Sequence, residues 1–174
     1  LLDAEGIAFR FGKHPSLDSL LLKTWSDQLE QGARTGFYAS SIISPCRILH
    51  QMRLLKEPYE VDRIREAARI SAEAHELARQ FVRPGMNERQ IQGLIEGYFL
   101  QQGARGPAYG SIVAGGDNAC ILHYIANNSN LNNGDLLLID AGCSLFDYYN
   151  GDLTRTFPIN GKFTEEQKSL YEVV

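Results

Sequence analysis

Apolar positions recur at helical spacing through the first two thirds of the chain and at strand spacing beyond. Leu21, Leu22, Trp25 and Leu29 fall on one side of a helix predicted over residues 18–30, with Gly32 as its stop. Residues 37–44 are β-branched and serine-rich and read as an extended segment; residues 45–56 read as a boundary. The clearest helix is predicted over Pro58–Phe81. Proline suits a first turn whose N–H lacks a partner, and Glu60 and Asp62 favour the positive end of the helix dipole. Val61, Ile64, Ala68, His75 and Ala78 recur on what reads as its buried face. Arg83-Pro84-Gly85 ends it. Asn87 and Gln90 form a capping-box pair opening a second helix, with Ile91, Leu94, Ile95, Tyr98 and Phe99 inward and a stop near Gly103.

Beyond Gly103 the period shortens. Residues 109–114 and 120–124 flank Gly115-Gly116-Asp117-Asn118, a sequence suited to a tight turn with positive φ, and are predicted to form a hairpin. Residues 136–139 are continuously apolar and predict a strand buried on both faces that delivers Asp140 at its end. Asp152 opens a further strand running to Phe157, so two antiparallel strands can set Asp140 beside Asp152. Thr164 and Gln167 form another capping box, and the helix they open runs to the last residue. Helices preceding a mostly antiparallel sheet predict an α+β fold with helices packed on one face of the sheet.

Composition narrows the function classes. With 174 residues, 44% of them hydrophobic and 22% charged, the chain can bury one good-sized core, or one domain and part of another. A formal net charge of −4 leaves no basic stripe for phosphates, which argues against a nucleic-acid partner. No apolar run approaches the roughly 20 residues needed to cross a bilayer, so no membrane partner is expected. Three scattered cysteines suit neither a disulfide scaffold nor a zinc ribbon; reduced, buried thiols are expected, which fits a cytoplasmic location. The chain lacks an initiator Met and stops inside a predicted helix, which suggests a piece of a longer protein.

Asp140 and Asp152 carry the candidate chemistry. Two carboxylates brought close repel unless a cation sits between them, and oxygen ligands suit manganese, magnesium or calcium better than copper. From spacing alone the same residues read more simply as a turn residue and a solvated cap. His123, at the end of a short apolar run (residues 120–122), reads either as a half-buried histidine with one structural hydrogen bond or as a substrate-facing imidazole. His75 falls on a helix face and reads as core, and Gly115-Gly116 lacks the lysine and hydroxyl of a phosphate loop.

Five blocks, HQMRLLKEPYEVDRIREAARIS, RPGMNERQI, YGSIVAGGDNACILHY, LLLIDAGC and GDLTRTFPINGKFTEEQ, occur in that order from His50 onward. Together they resemble the Xaa-Pro aminopeptidases (aminopeptidase P), dinuclear metallopeptidases of the pita-bread fold. The resemblance implies that residues 1–48 are the C-terminal part of an N-terminal domain and residues 49–174 the first half of the pita-bread catalytic domain. It implies that Asp140 and Asp152 are metal ligands and that His123 is catalytic, lining the substrate pocket. The remaining ligands, a histidine and two glutamates, belong to the second half of that fold. The implied cofactors are two divalent ions, Mn(II) in most of the family, that activate a water. The implied reaction is hydrolytic release of the N-terminal residue from peptides with proline in second position. The 174-residue piece itself is expected to be inactive, and the chain to form a homo-oligomer. The family separates its two aspartates by eleven positions and this chain by twelve; the extra residue is expected in the loop at 145–149. Prolidase, which shares the fold and metals, is the nearest alternative, and a non-catalytic pita-bread binding or scaffold protein is the alternative of another class.

Overall fold

A computed structural model describes residues 6–35 and 39–174, and the side chains of all of these but 33–35. The chain forms two compact units, Leu1–Lys56 and Glu57–Val174.

In the first unit, β1 (Gly6–Ala8) pairs in parallel with β2 (Ser41–Ile43), and α1 (Pro15–Thr35) provides the crossover that parallel neighbours require. The helix is longer than predicted at both ends. Gly32 does not stop it. It is buried on the stripe that runs Asp18, Leu21, Trp25, Gln28, where the roughly 1 kcal/mol a helical glycine costs is offset by its inward position. That stripe leaves Leu22 and Leu29, both expected inward, exposed. Trp25 Nε1 donates to Ala39 O at 2.7 Å and ties the helix to the chain entering β2. Residues 45–56, read as a boundary, contain a helix instead, α2 (Cys46–Leu54), with no buried residue. Of the predicted extended segment 37–44 the strand covers Ser41–Ile43, while Phe37 and Tyr38 lie outside the described residues.

In the second unit, α3 (Pro58–Phe81) has the predicted bounds, capped by Glu57 and Glu60 in a reciprocal box. Its buried face is Ala67, Ile70, Ser71, Ala74, His75 and Ala78, so Ile64 and Ala68, expected inward, face out. On that face Ser71 accepts from Cys143 N at 3.1 Å, and Ala67 and Ser71 lie close against Gly151. The next helix, α4 (Glu88–Gln101), opens with the predicted Asn87–Gln90 capping box and buries Ile91, Ile95 and Phe99. There follow β3 (Gly106–Pro107), β4 (Ile112–Gly115), β5 (Leu136–Asp140), β6 (Cys143–Ser144), β7 (Thr154–Pro158) and α5 (Glu165–Tyr171), the last capped by Thr164 and Gln167 as predicted. An antiparallel sheet runs in the order β4-β5-β7, and β3 pairs with β6.

Two strand expectations are corrected. The hairpin of 109–114 with 120–124 does not form. Gly116, at φ 55°, turns the chain into a 3-10 helix over Gly116–Cys120, and β4 pairs with β5 instead. Nor is β5 buried on both faces. Leu137 and Ile139 are fully buried, but Leu136, Leu138 and Asp140 on the alternate face are half-buried. The buried face joins Val113 to Ala67, Ile70, Ile91, Ile95 and Phe99 of the two helices in one core. The unit is therefore α+β with helices on one face of the sheet, and Asp140 stands on the other. All three cysteines are free, but of the three expected to be buried only Cys143 is; Cys46 is half-buried and Cys120 exposed. Among the described residues no helix is long and apolar enough to cross a membrane.

Candidate metal centre

The register of β5 against β7 pairs Asp140 with Thr154, and pairing continues through Ala141 N, which donates to Leu153 O at 3.1 Å. Asp152 lies two residues before Thr154, so strand alternation returns its side chain to the face carrying Asp140. Between them the chain folds back on itself. Gly151 N donates to Cys143 O at 2.9 Å, and the turn is closed by Leu145 N to Tyr149 O at 2.9 Å, with Tyr148 at φ 67°. The five-pair β5–β7 ladder has no bulge, and the bridge of Ser144 to Asn150 keeps its register, so residues 145–149 form the turn. The turn is moored to α3, where Asp147 accepts from Arg63 Nε at 2.7 Å and Tyr59 OH at 3.0 Å. Arg63, with help from Tyr59, holds the Asp147 carboxyl below its ordinary range.

The two aspartates converge on Tyr109. Its hydroxyl lies 2.5 Å from Asp140 Oδ1 and 2.9 Å from Asp152 Oδ1. Burial first, and then both carboxylates, push the phenol far above its ordinary pKa, so it stays protonated. One hydroxyl carries one proton and can donate to only one carboxylate at a time. Neither aspartate is in an ion pair among the described residues. Two anionic oxygens held together with a single proton between them form a natural seat for a cation, and the donor set fits a hard divalent ion. It is only part of a coordination shell: no group of three or more His, Cys, Asp and Glu side chains able to hold a metal occurs among the described residues.

His123 is not on a strand. It is exposed, at φ 55°, in the irregular stretch after the 3-10 helix, and no hydrogen bond links its ring to either aspartate among the described residues. Its loop nevertheless borders the same segment. The Asn127 side chain accepts from Val113 N at 2.9 Å and donates to Ser111 O at 2.7 Å. Ile125 Cγ2 would stand 3.5 Å from a Cβ on Gly110, the neighbour of Tyr109. Ile112, within that segment, pairs across the sheet with Asp140. His75 is core, as read. Its Nε2 lies 3.0 Å from Ala141 O, and burial pushes its pKa down, so the neutral ring donates to the carbonyl next to Asp140. A separate cavity of about 310 Å³, lined by His75, Arg155, Phe157, Phe163 and Tyr171 among others, includes neither aspartate.

Tyr109 was not among the residues that patterning singled out. Its partners lie 31 and 43 positions away in sequence, beyond any local period.

The helix-backed sheet thus brings together two carboxylates, Asp140 at the end of β5 and Asp152 just ahead of β7. The chain belongs to the metallopeptidase family M24, whose model matches residues 62–174. It is 45% identical over 149 residues to the Xaa-Pro aminopeptidase of Escherichia coli K12, covering 85% of this chain and 34% of that protein. The Xaa-Pro aminopeptidase of Haemophilus influenzae is 47% identical over 153 residues, covering 88% and 35%. Among solved structures, proline aminopeptidase P II from Yersinia pestis superposes with a TM-score of 0.89 at 43% identity, over 98% of this chain and 39% of that one. A zinc-substituted E. coli aminopeptidase P in complex with product superposes at 0.89 and 40% identity, over 98% and 38%. The fold is thus that of the pita-bread aminopeptidases, and the chain spans about a third of the length of the curated relatives it matches.

Proposed function

We propose that this chain is the metal-anchoring first part of an Xaa-Pro aminopeptidase, which hydrolyses the bond between an N-terminal residue and a following proline. The observation that carries the proposal is the convergence of Asp140 and Asp152 on one phenol, on the sheet face away from the helices. We assign the two aspartates as ligands to divalent metal, two ions with manganese the preferred one, and His123 as the imidazole that meets the substrate. Residues 1–48 are assigned to the N-terminal domain and residues 49–174 to the first half of the catalytic domain. Bound metal would supply the charge that acidifies an attacking water and polarises the scissile carbonyl. The chain's own residues do the positioning. The β5–β7 ladder sets the spacing of the two carboxylates, Tyr109 holds them in one orientation by donating to either, and His123 is assigned to the substrate side on the loop at 121–127, which Asn127 ties to the segment running from Tyr109 to Val113. An imidazole there can donate to the substrate carbonyl or carry a proton to the departing amine.

The test is Mn(II) titration calorimetry together with hydrolysis of Xaa-Pro-containing peptides by the full-length protein. Asp140→Ala and Asp152→Ala should each weaken Mn(II) binding and abolish turnover, whereas His123→Ala should keep the metal and lose turnover on the order of 10²-fold. Undiminished Mn(II) binding and hydrolysis in both aspartate variants would sink the proposal. Hydrolysis confined to dipeptides would reassign the protein to the prolidases.

A further inference from the structure

Among the described residues Glu88 is the one carboxylate that is fully buried, at 0% exposure, and nothing in the proposed reaction uses it. Its oxygens are saturated with donors. Oε1 accepts from Gly115 N at 2.9 Å and Asn118 Nδ2 at 3.0 Å. Oε2 accepts from Tyr124 OH at 2.7 Å and Ser129 N at 2.9 Å. Burial raises the pKa of the carboxyl, but these four bonds outweigh it and hold the group below its ordinary value. The side chain is therefore an anion that only a carboxylate can replace.

The four donors span a single loop. Gly115 ends β4, Asn118 lies in the 3-10 helix, Tyr124 follows His123, and Ser129 closes the loop, with its carbonyl accepting from Glu88 N at 3.0 Å. His123 thus sits between two anchored points while its own side chain is free in solvent. Its backbone at φ 55° is a conformation that a non-glycine residue keeps when its surroundings impose it. Asn127 fastens the same loop to β4 but acts beyond His123, not on either side of it.

We propose that Glu88 is a positioning residue for His123, fixing the loop from beneath so that the imidazole meets the substrate in one orientation. The inference rests on the role given to His123 above. Glu88→Gln keeps the size of the side chain but turns one acceptor oxygen into an N–H₂ that faces donors. Tyr124→Phe removes one of the four bonds and leaves the carboxylate in place, so it remains informative if the glutamine variant does not fold.

In the full-length protein, Glu88→Gln should lower kcat/KM for an Xaa-Pro peptide on the order of 10²-fold, the scale of an ångström of misplacement, with Mn(II) affinity unchanged. Tyr124→Phe should give a smaller loss of the same kind. The decisive measurement is coupling. Each substitution made in His123→Ala should cost almost nothing further, because both act through the same imidazole. Full additivity on an impaired His123→Ala background would make Glu88 a stability residue and overturn the inference. An unimpaired His123→Ala would instead refute the role given to His123, and the two failures are told apart by the single variant alone.

Discussion

Gly151→Ala should disturb the carboxylate pair without touching either carboxylate. Gly151 precedes Asp152 and lies against α3, where an added Cβ would stand 2.3 Å from Ser71 Oγ and 2.8 Å from Ala67 O. Ser71 can rotate, but at a cost: its hydroxyl donates to Ala67 O at 2.7 Å and accepts from Cys143 N at 3.1 Å, and both bonds are buried. The Ala67 carbonyl is helix backbone and cannot turn aside. With ordinary contact beginning at 3.4 Å, the hairpin strand must lift by about 0.6 Å. Overpacking of this kind costs about 1–3 kcal/mol, and one disrupted buried hydrogen bond about 1 kcal/mol more. A loss of roughly 2–4 kcal/mol corresponds to a Tm lower by about 10 °C in a unit of this size. The same displacement draws Asp152 away from Tyr109 and Asp140. Mn(II) affinity at a temperature where the variant is fully folded should therefore fall by about tenfold or more, the range expected when a group orienting a ligand is disturbed. Differential scanning calorimetry and Mn(II) titration of the purified variant provide both readings. Wild-type Tm and wild-type metal affinity together would refute the packing argument. A lowered Tm with unchanged affinity would show that the hairpin moves as a body with β5.

Gly93→Ala and Gly97→Ala make the opposite case. Both lie inside α4 with nothing within 4 Å of a new Cβ, so each should raise stability by about 0.5–1 kcal/mol in a denaturant melt, and a destabilised variant would mean that α4 is packed there. His75 should make the fold acid-sensitive. Burial lowers its pKa from 6.5, with Arg155 adding to the shift and the bond to Ala141 O and the charge of Asp140 opposing it. The unfolded chain therefore binds a proton that the folded chain refuses. Stability should be constant above the unfolded pKa and fall as pH drops from about 6.5 toward the lower folded value. His75→Gln should flatten that slope in melts between pH 7 and pH 5, and an equal slope would assign the acid sensitivity to other groups.

Much of the helical architecture was legible because its signals are local. The bounds of α3 follow from Pro58 and the acidic first turn, and the starts of α4 and α5 from Asn87–Gln90 and Thr164–Gln167, pairs that act across three residues. The errors fall where local preference met a distant partner. Gly32 reads as a stop until its place on the inward stripe of α1 is seen, and Gly115-Gly116 reads as a hairpin turn until β5 takes the pairing edge of β4. Residues 120–124 look like half a hairpin. They are drawn out of the sheet by Glu88 and Asn127, whose side chains satisfy backbone donors that a strand would otherwise have satisfied.

By itself, the order of residues determined α3, the capping pairs that open α4 and α5, the central strand that ends in Asp140, and the family resemblance that gave Asp140, Asp152 and His123 their expected roles, because each of these rests on short-range periodicity or on contiguous motifs. Only the tertiary structure decided that the two aspartates share the hydroxyl of Tyr109, that they stand on the sheet face away from the helices, and that a buried Glu88 anchors the loop carrying His123. Those are contacts between residues 27 to 43 positions apart. They arise when strand register and core packing bring distant segments together, and no period along the chain encodes them.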